Sequence, residues 1–123
     1  MITVDPRSPV PLVEQVRRAL RREVADGTLP VGSPLPPVRQ LAADLGVNLN
    51  TIARAYRELE REGLVTTARG RGTEVAGDRD RVPVPRAALE VRLRDVVADA
   101  RLAGYAAPAV KSLFAAVLAR GAS

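Results

Sequence analysis

The sequence predicts a mainly α fold carrying one small β-hairpin: three helices closed by the hairpin, then two further helices at the C-terminal end. Three observations predict it. Apolar residues recur at helical spacing through residues 10–26, 38–45 and 49–64, with glycine or proline at the breaks. Two short strand-like runs flank "ARGRG" at residues 68–72. Two more apolar-periodic stretches then follow a charged, proline-containing segment.

The first helix is read from "VPLVEQVRRALRREVAD", where Leu12, Val13, Val16, Leu20 and Val24 form one stripe and Arg17, Arg18, Arg21 and Arg22 lie off it. Gly27 follows as a C-terminal stop. "TLPVGSPLPP" holds four prolines and cannot be helical, so residues 28–37 form an ordered, extended connector. Pro37 suits the first position of the next helix, which spans 38–45 and buries Leu41, Ala42 and Leu45.

Gly46 breaks that helix, Val47 turns inward, and Asn48 is placed to cap a further helix starting near Leu49. Ala42, Gly46 and Ile52 then stand where a helix-turn-helix needs a small residue, a turn glycine and an apolar anchor. At about 100° per residue, Tyr56 and Leu59 lie within about 40° of Ile52, and Ala55 about 60° away. Asn50, Arg54, Arg57 and Arg61 fall about 140–200° from Ile52, on the opposite face, with Glu58, Glu60 and Glu62 on the flanks. A polar row on a surface helix is ordinarily just a solvated face. This one begins at the N-terminal end of the helix after the turn, the part that enters the major groove in helix-turn-helix proteins.

Gly63 ends that helix. Val65–Ala68 and Thr73–Ala76 are expected to pair as a hairpin with Arg69, Gly70, Arg71 and Gly72 at its tip. Three helices followed at once by such a hairpin read as a winged helix-turn-helix. Arg69 and Arg71 would reach phosphates or the minor groove, and the glycines would let the backbone approach closely.

Composition narrows the function classes. With 123 residues the chain is one domain, or a small domain plus an appendage. It has neither Cys nor His, which removes disulfides, zinc-finger ligation, thiolate chemistry and imidazole acid–base work. No carboxylate pair stands in a recognisable pocket, so neither an enzyme nor a bound cofactor or metal is expected. A net charge of +5 suits a nucleic-acid partner. Only Lys111 is a lysine, however, and the arginine skew is equally what a GC-rich coding genome yields. No run approaches membrane-spanning length and the first residues lack a secretory signal pattern, so a cytoplasmic location is expected, without membrane partners.

The stretches "PLVEQV", "DGTLPVGSPLPPVRQLAADLGVN", "NTIARAYRELEREGLV" and "RGRGTEV" appear in order within residues 8–76. In this they resemble the DNA-binding domain of the GntR family of bacterial transcription regulators. The resemblance implies that Arg39 contacts DNA from the start of the second helix. It further implies roles for Asn50, Thr51 and Arg54 near the start of the third, and for Arg69 and Gly70 at the wing tip. Asn48 and Arg71 complete the expected DNA-binding set. Three positions depart from the family pattern: Pro37 replaces a common Ser, Leu49 the usual Pro, and Val13 a frequent Tyr.

The expected organisation is a DNA-binding domain over 1–76, a linker over 77–85 and a two-helix hairpin over 86–123. Leu89, Leu93 and Val96 form an apolar face on the first C-terminal helix, and Leu113, Phe114 and Val117 on the second. So short a hairpin cannot bury both faces alone; it either packs back on its own winged helix or, as expected, is covered by a twin hairpin in a homodimer. A winged helix with two C-terminal helices is similar to the YtrA subfamily, whose short C-terminal region dimerises. The function expected is a dimeric, sequence-specific regulator, a repressor on an inverted-repeat operator of double-stranded DNA. An architectural DNA binder of low specificity and a protein-interaction winged helix are the alternatives. A small-molecule effector has room only at the dimer interface or between hairpin and winged helix.

Overall fold

The computed structural model describes residues 2–68, 70 and 72–121. The elements run α1 (Leu12–Ala25), α2 (Val38–Leu45), α3 (Leu49–Arg61), β1 (Val65–Ala68), β2 (Gly72–Val75), a 3-10 turn (Asp78–Asp80), α4 (Arg86–Leu102) and α5 (Ala107–Gly121). The chain divides into two compact units between Val82 and Pro83.

The core of the first unit is built where the apolar stripes meet. Val16, Leu20 and Val24 of α1 and Ile52, Ala55, Tyr56 and Leu59 of α3 are buried, joined by Leu41 and Ala42 of α2 and by Val65 and Val75 of the hairpin. Ile2 is buried with them. Its segment is held by Gln15, whose side-chain oxygen accepts from the Asp5 amide at 2.7 Å while its nitrogen donates to the Asp5 carbonyl at 2.9 Å.

Pro37 caps α2 from outside, one residue earlier than expected, with φ −54° and ψ 144°. Gly46 closes α2 in the left-handed region at φ 68°, and Val47 donates back to the Ala42 carbonyl at 3.0 Å. The Asn48 side chain then accepts the Asn50 amide at 2.8 Å and starts α3 as its cap.

β1 and β2 pair antiparallel, Val65 opposite Val75 and Ala68 opposite Gly72, so the second strand begins one residue before its expected start. Ala76 still donates to the Leu64 carbonyl at 2.9 Å, just beyond the ladder. The proline-rich connector lies along the other edge of β2. Gly32 donates to Val75 at 2.9 Å, Val75 to Ser33 at 2.9 Å, and Leu35 to Thr73 at 2.8 Å. Pro34, bridged opposite Glu74, has no N–H to place. The Tyr56 hydroxyl donates to the Pro36 carbonyl at 2.7 Å and fastens the connector to α3.

Beyond the hairpin, the Val82 amide donates to the Glu62 carbonyl at 3.0 Å, docking the 3-10 turn on the end of α3. Gly63, at φ 74°, sits beneath it, and a Cβ there would lie 1.6 Å from the Asp80 carbonyl oxygen.

In the second unit α4 has no buried residue. Leu89, Leu93, Val96, Leu113, Phe114 and Val117 are all between 45% and 59% exposed. No described helix is long and apolar enough to cross a membrane.

Burial pushes the Tyr56 phenol up to about 12. The fold favours its neutral form, so this contribution is complete below the usual tyrosine value of about 10 and is lost as pH rises towards the folded value. Tyr56→Phe should cost about 1 kcal/mol at neutral pH and flatten the alkaline decline; urea melts from pH 7 to 11 check both. Gly63→Ala should destabilise by more than about 1 kcal/mol through steric clash and unfavourable φ. It should also speed amide exchange at Val82.

Candidate nucleic-acid interface

The third helix divides its surface among three tasks. Its apolar stripe faces the core. Its carboxylates turn sideways: Glu62 meets Arg17 at 3.2 Å and Arg21 at 3.1 Å, and Glu58 meets Arg17 at 3.8 Å. Arg17 also pairs with Glu14, which Arg18 reaches at 2.9 Å. The Arg17 hydrogen bond, with help from Arg18 and against a partial burial effect, holds the Glu14 carboxyl below its ordinary value. On the other flank Glu60 accepts from the Thr67 hydroxyl at 3.1 Å, and Thr67 lies 3.2 Å from the Thr73 hydroxyl. Both threonines belong to the hairpin, so Glu60 ties the wing to α3.

The third face is left to solvent. Asn50, Arg54, Arg57 and Arg61 are exposed, and Thr51 is half-buried beside them. Arg54 is 67% exposed and its only ion pair among the described residues, with Glu58, is long at 3.9 Å. The side chains of Asn50, Arg57 and Arg61 have no hydrogen-bond or ion-pair partner among the described residues. Such a row keeps its donors available for an incoming acceptor, which suits the bases and phosphates of a duplex.

The remaining expected contacts fall on neighbouring elements. Arg39 is exposed in the first turn of α2 and likewise lacks a partner among the described residues. Asn48 is exposed; its side-chain oxygen accepts the capping bond, and its amide nitrogen has no partner among the described residues. Gly70 is exposed at φ 77° with open space where a Cβ would stand. The conformation, rather than crowding, is what calls for glycine there. Arg69 and Arg71 lie outside the described residues.

The links made by Arg17, Glu60, Thr67 and Thr73 leave no mark in the sequence. Arg17 sits among the arginines off the apolar stripe; its link to Glu62 spans 45 residues and has no local signature. Among the described residues no cluster of carboxylates stands ready for a metal.

Residues 12–75 match the family described as bacterial regulatory proteins, gntR family. The chain is 38% identical over 106 residues to the transcriptional repressor YtrA of Bacillus subtilis (strain 168), covering 85% of this chain and 82% of that one. A transcriptional antiterminator from Listeria monocytogenes EGD-e superposes with a TM-score of 0.81 at 30% identity, covering 95% of this chain and 89% of the other. The AraR DNA-binding domain, solved in complex with operator ORX1, superposes at 0.55 with 27% identity, over 61% of this chain and 93% of that domain.

The capping role of Asn48 can be separated from any contact it makes outside the chain. Asn48→Ala should lower stability by about 1 kcal/mol, whereas Asn48→Asp, which preserves an acceptor oxygen at the same place, should cost far less. Chemical denaturation of the two variants beside the parent checks the difference.

Proposed function

The chain belongs to the GntR family of bacterial regulatory proteins, a family of DNA-binding transcription regulators, and from that premise we propose that it is a homodimeric repressor reading an inverted-repeat operator. The observation that carries the reading is the unpartnered face of α3. Its carboxylates are engaged by α1 and the wing, Asn50 and Arg57 keep their side chains without partners among the described residues, and Arg54 is held only by a long 3.9 Å pair with Glu58.

In this reading α3 enters the major groove by its N-terminal end. Asn50, Thr51 and Arg54 meet base edges, and the free amide nitrogen of Asn48 adds a donor. Arg39 and the wing, through Gly70 and the arginines at 69 and 71, bind the backbone on either side and set the register. Gene repression follows where the occupied site overlaps a promoter, in the cytoplasm, with no chemical step and no cofactor. Any small-molecule effector acts by favouring one arrangement of the dimer.

A single head contacts too few base pairs for specificity in a genome, and a two-fold pair of heads doubles the contacts. The apolar faces of α4 and α5 support that pairing. Leu89, Leu93, Val96, Leu113, Phe114 and Val117 stay about half exposed in one chain, and a twin copy would take them out of water.

Two experiments test the reading. Arg39→Ala should leave the melting temperature unchanged, lower affinity for a selected operator and reduce the salt slope by about one unit if the contact is to phosphate. Wild-type affinity across a salt series would remove Arg39 from the interface. The double variant Leu93→Asp with Phe114→Asp should sediment as a monomer, because each dimer would have to bury unpaired carboxylates. It should bind full and half operators almost equally. A variant that stays dimeric and prefers the full repeat would place the interface elsewhere.

A further inference from the structure

Of the large apolar side chains on α1, α2 and α3, one stands out in the open: Leu49, the first residue of α3, is 41% exposed. It stands between Asn48 and Asn50, both exposed. Its neighbours are polar readers, while Leu49 can neither donate nor accept a hydrogen bond through its side chain. Nor does that side chain serve the helix start, which Asn48 already caps. The exposed part of a leucine at the reading end of the helix contributes nothing until another apolar group covers it.

The major-groove edges of the bases present donors, acceptors and only one apolar group, the 5-methyl of thymine. We infer that Leu49 is a specificity-determining residue that recognises a thymine in each half-site by packing on that methyl group. The inference rests on the DNA-reading role proposed above. Against cytosine, whose C5 is bare, or against a purine edge, the leucine would cover no methyl and would desolvate polar atoms without pairing them. Leu49 therefore adds selectivity for a T·A pair that the hydrogen-bonding residues beside it do not provide.

The test begins with an operator selected by the full-length protein from random-sequence DNA. Each thymine is replaced singly by deoxyuridine, which removes the methyl group and leaves the base-pairing edge intact. Fluorescence anisotropy should show one position per half-site where the replacement weakens binding about three- to fivefold, the scale expected for one methyl group withdrawn from a dry contact. Leu49→Ala should show a similar loss on the thymine operator and no further loss on the uridine operator. Leu49→Gln, suited to a solvent-facing helical position, repeats the comparison should the alanine protein fold poorly.

A wild-type protein indifferent to uridine at every position overturns the inference while leaving the DNA-reading role intact. So does a full penalty retained by both variants at the sensitive thymine, because another residue then makes the contact. Failure to enrich any sequence would sink the DNA-reading role, and this inference with it.

Discussion

The winged-helix unit depends on the burial of one stripe, Ile52, Ala55, Tyr56 and Leu59, against α1. Ile52, Leu59 and Val16 are fully withdrawn from water, and each large aliphatic side chain so buried contributes about 1.5–3 kcal/mol. The ion pairs between α1 and α3 are partly exposed, and such pairs contribute about 0–1 kcal/mol each. Burial therefore holds α3 in place. The Arg17 network decides something else: which way the carboxylates of α3 turn, and hence how positive its outer face remains.

Because α3 is anchored by its inner face, neighbouring elements can use its flanks as reference points. The wing takes its bearing from Glu60 through Thr67. The connector takes its own from the Tyr56 hydroxyl, and the 3-10 turn from the Glu62 carbonyl. A helix held from three sides loses little additional freedom on meeting a duplex, the role proposed for α3, which lowers the entropy cost of forming a specific contact.

Much of this was legible in sequence because it is local. The 3.6-residue period locates the stripe of α3, and a glycine after α2 followed by an asparagine marks the turn and the cap. The two C-terminal helices α4 and α5 are also located from spacing. What sequence hides is pairing at a distance. The connector reads as extended from its prolines, but nothing local says that it lines β2. Arg17 looks like any solvent-facing arginine until α3 brings Glu62 to it. The one-residue offset of β2 has a similar origin, since register is a property of two strands together and Gly72 finds its partner only when Ala68 is opposite. For the residues proposed to read DNA, sequence supplies the row, and the structure leaves the side chains of Asn50, Arg57 and Arg61 without partners among the described residues. The occupants of that row belong to a complex.

The connector along β2 carries one more consequence. It makes the small sheet three lanes wide and becomes the lane at one border, where a strand ordinarily displays amide groups that another chain can zip onto. Here the bordering stretch holds Pro30, Pro34, Pro36 and Pro37, and Leu35, the one residue between the last three, spends its amide inward on Thr73. A border so poor in outward donors is a weak template for strand addition. The composition that bars residues 28–37 from a helix also protects the wing from self-association through its edge. In a regulator whose pairing is proposed through α4 and α5, this border of the wing thus offers little for a second head to pair with.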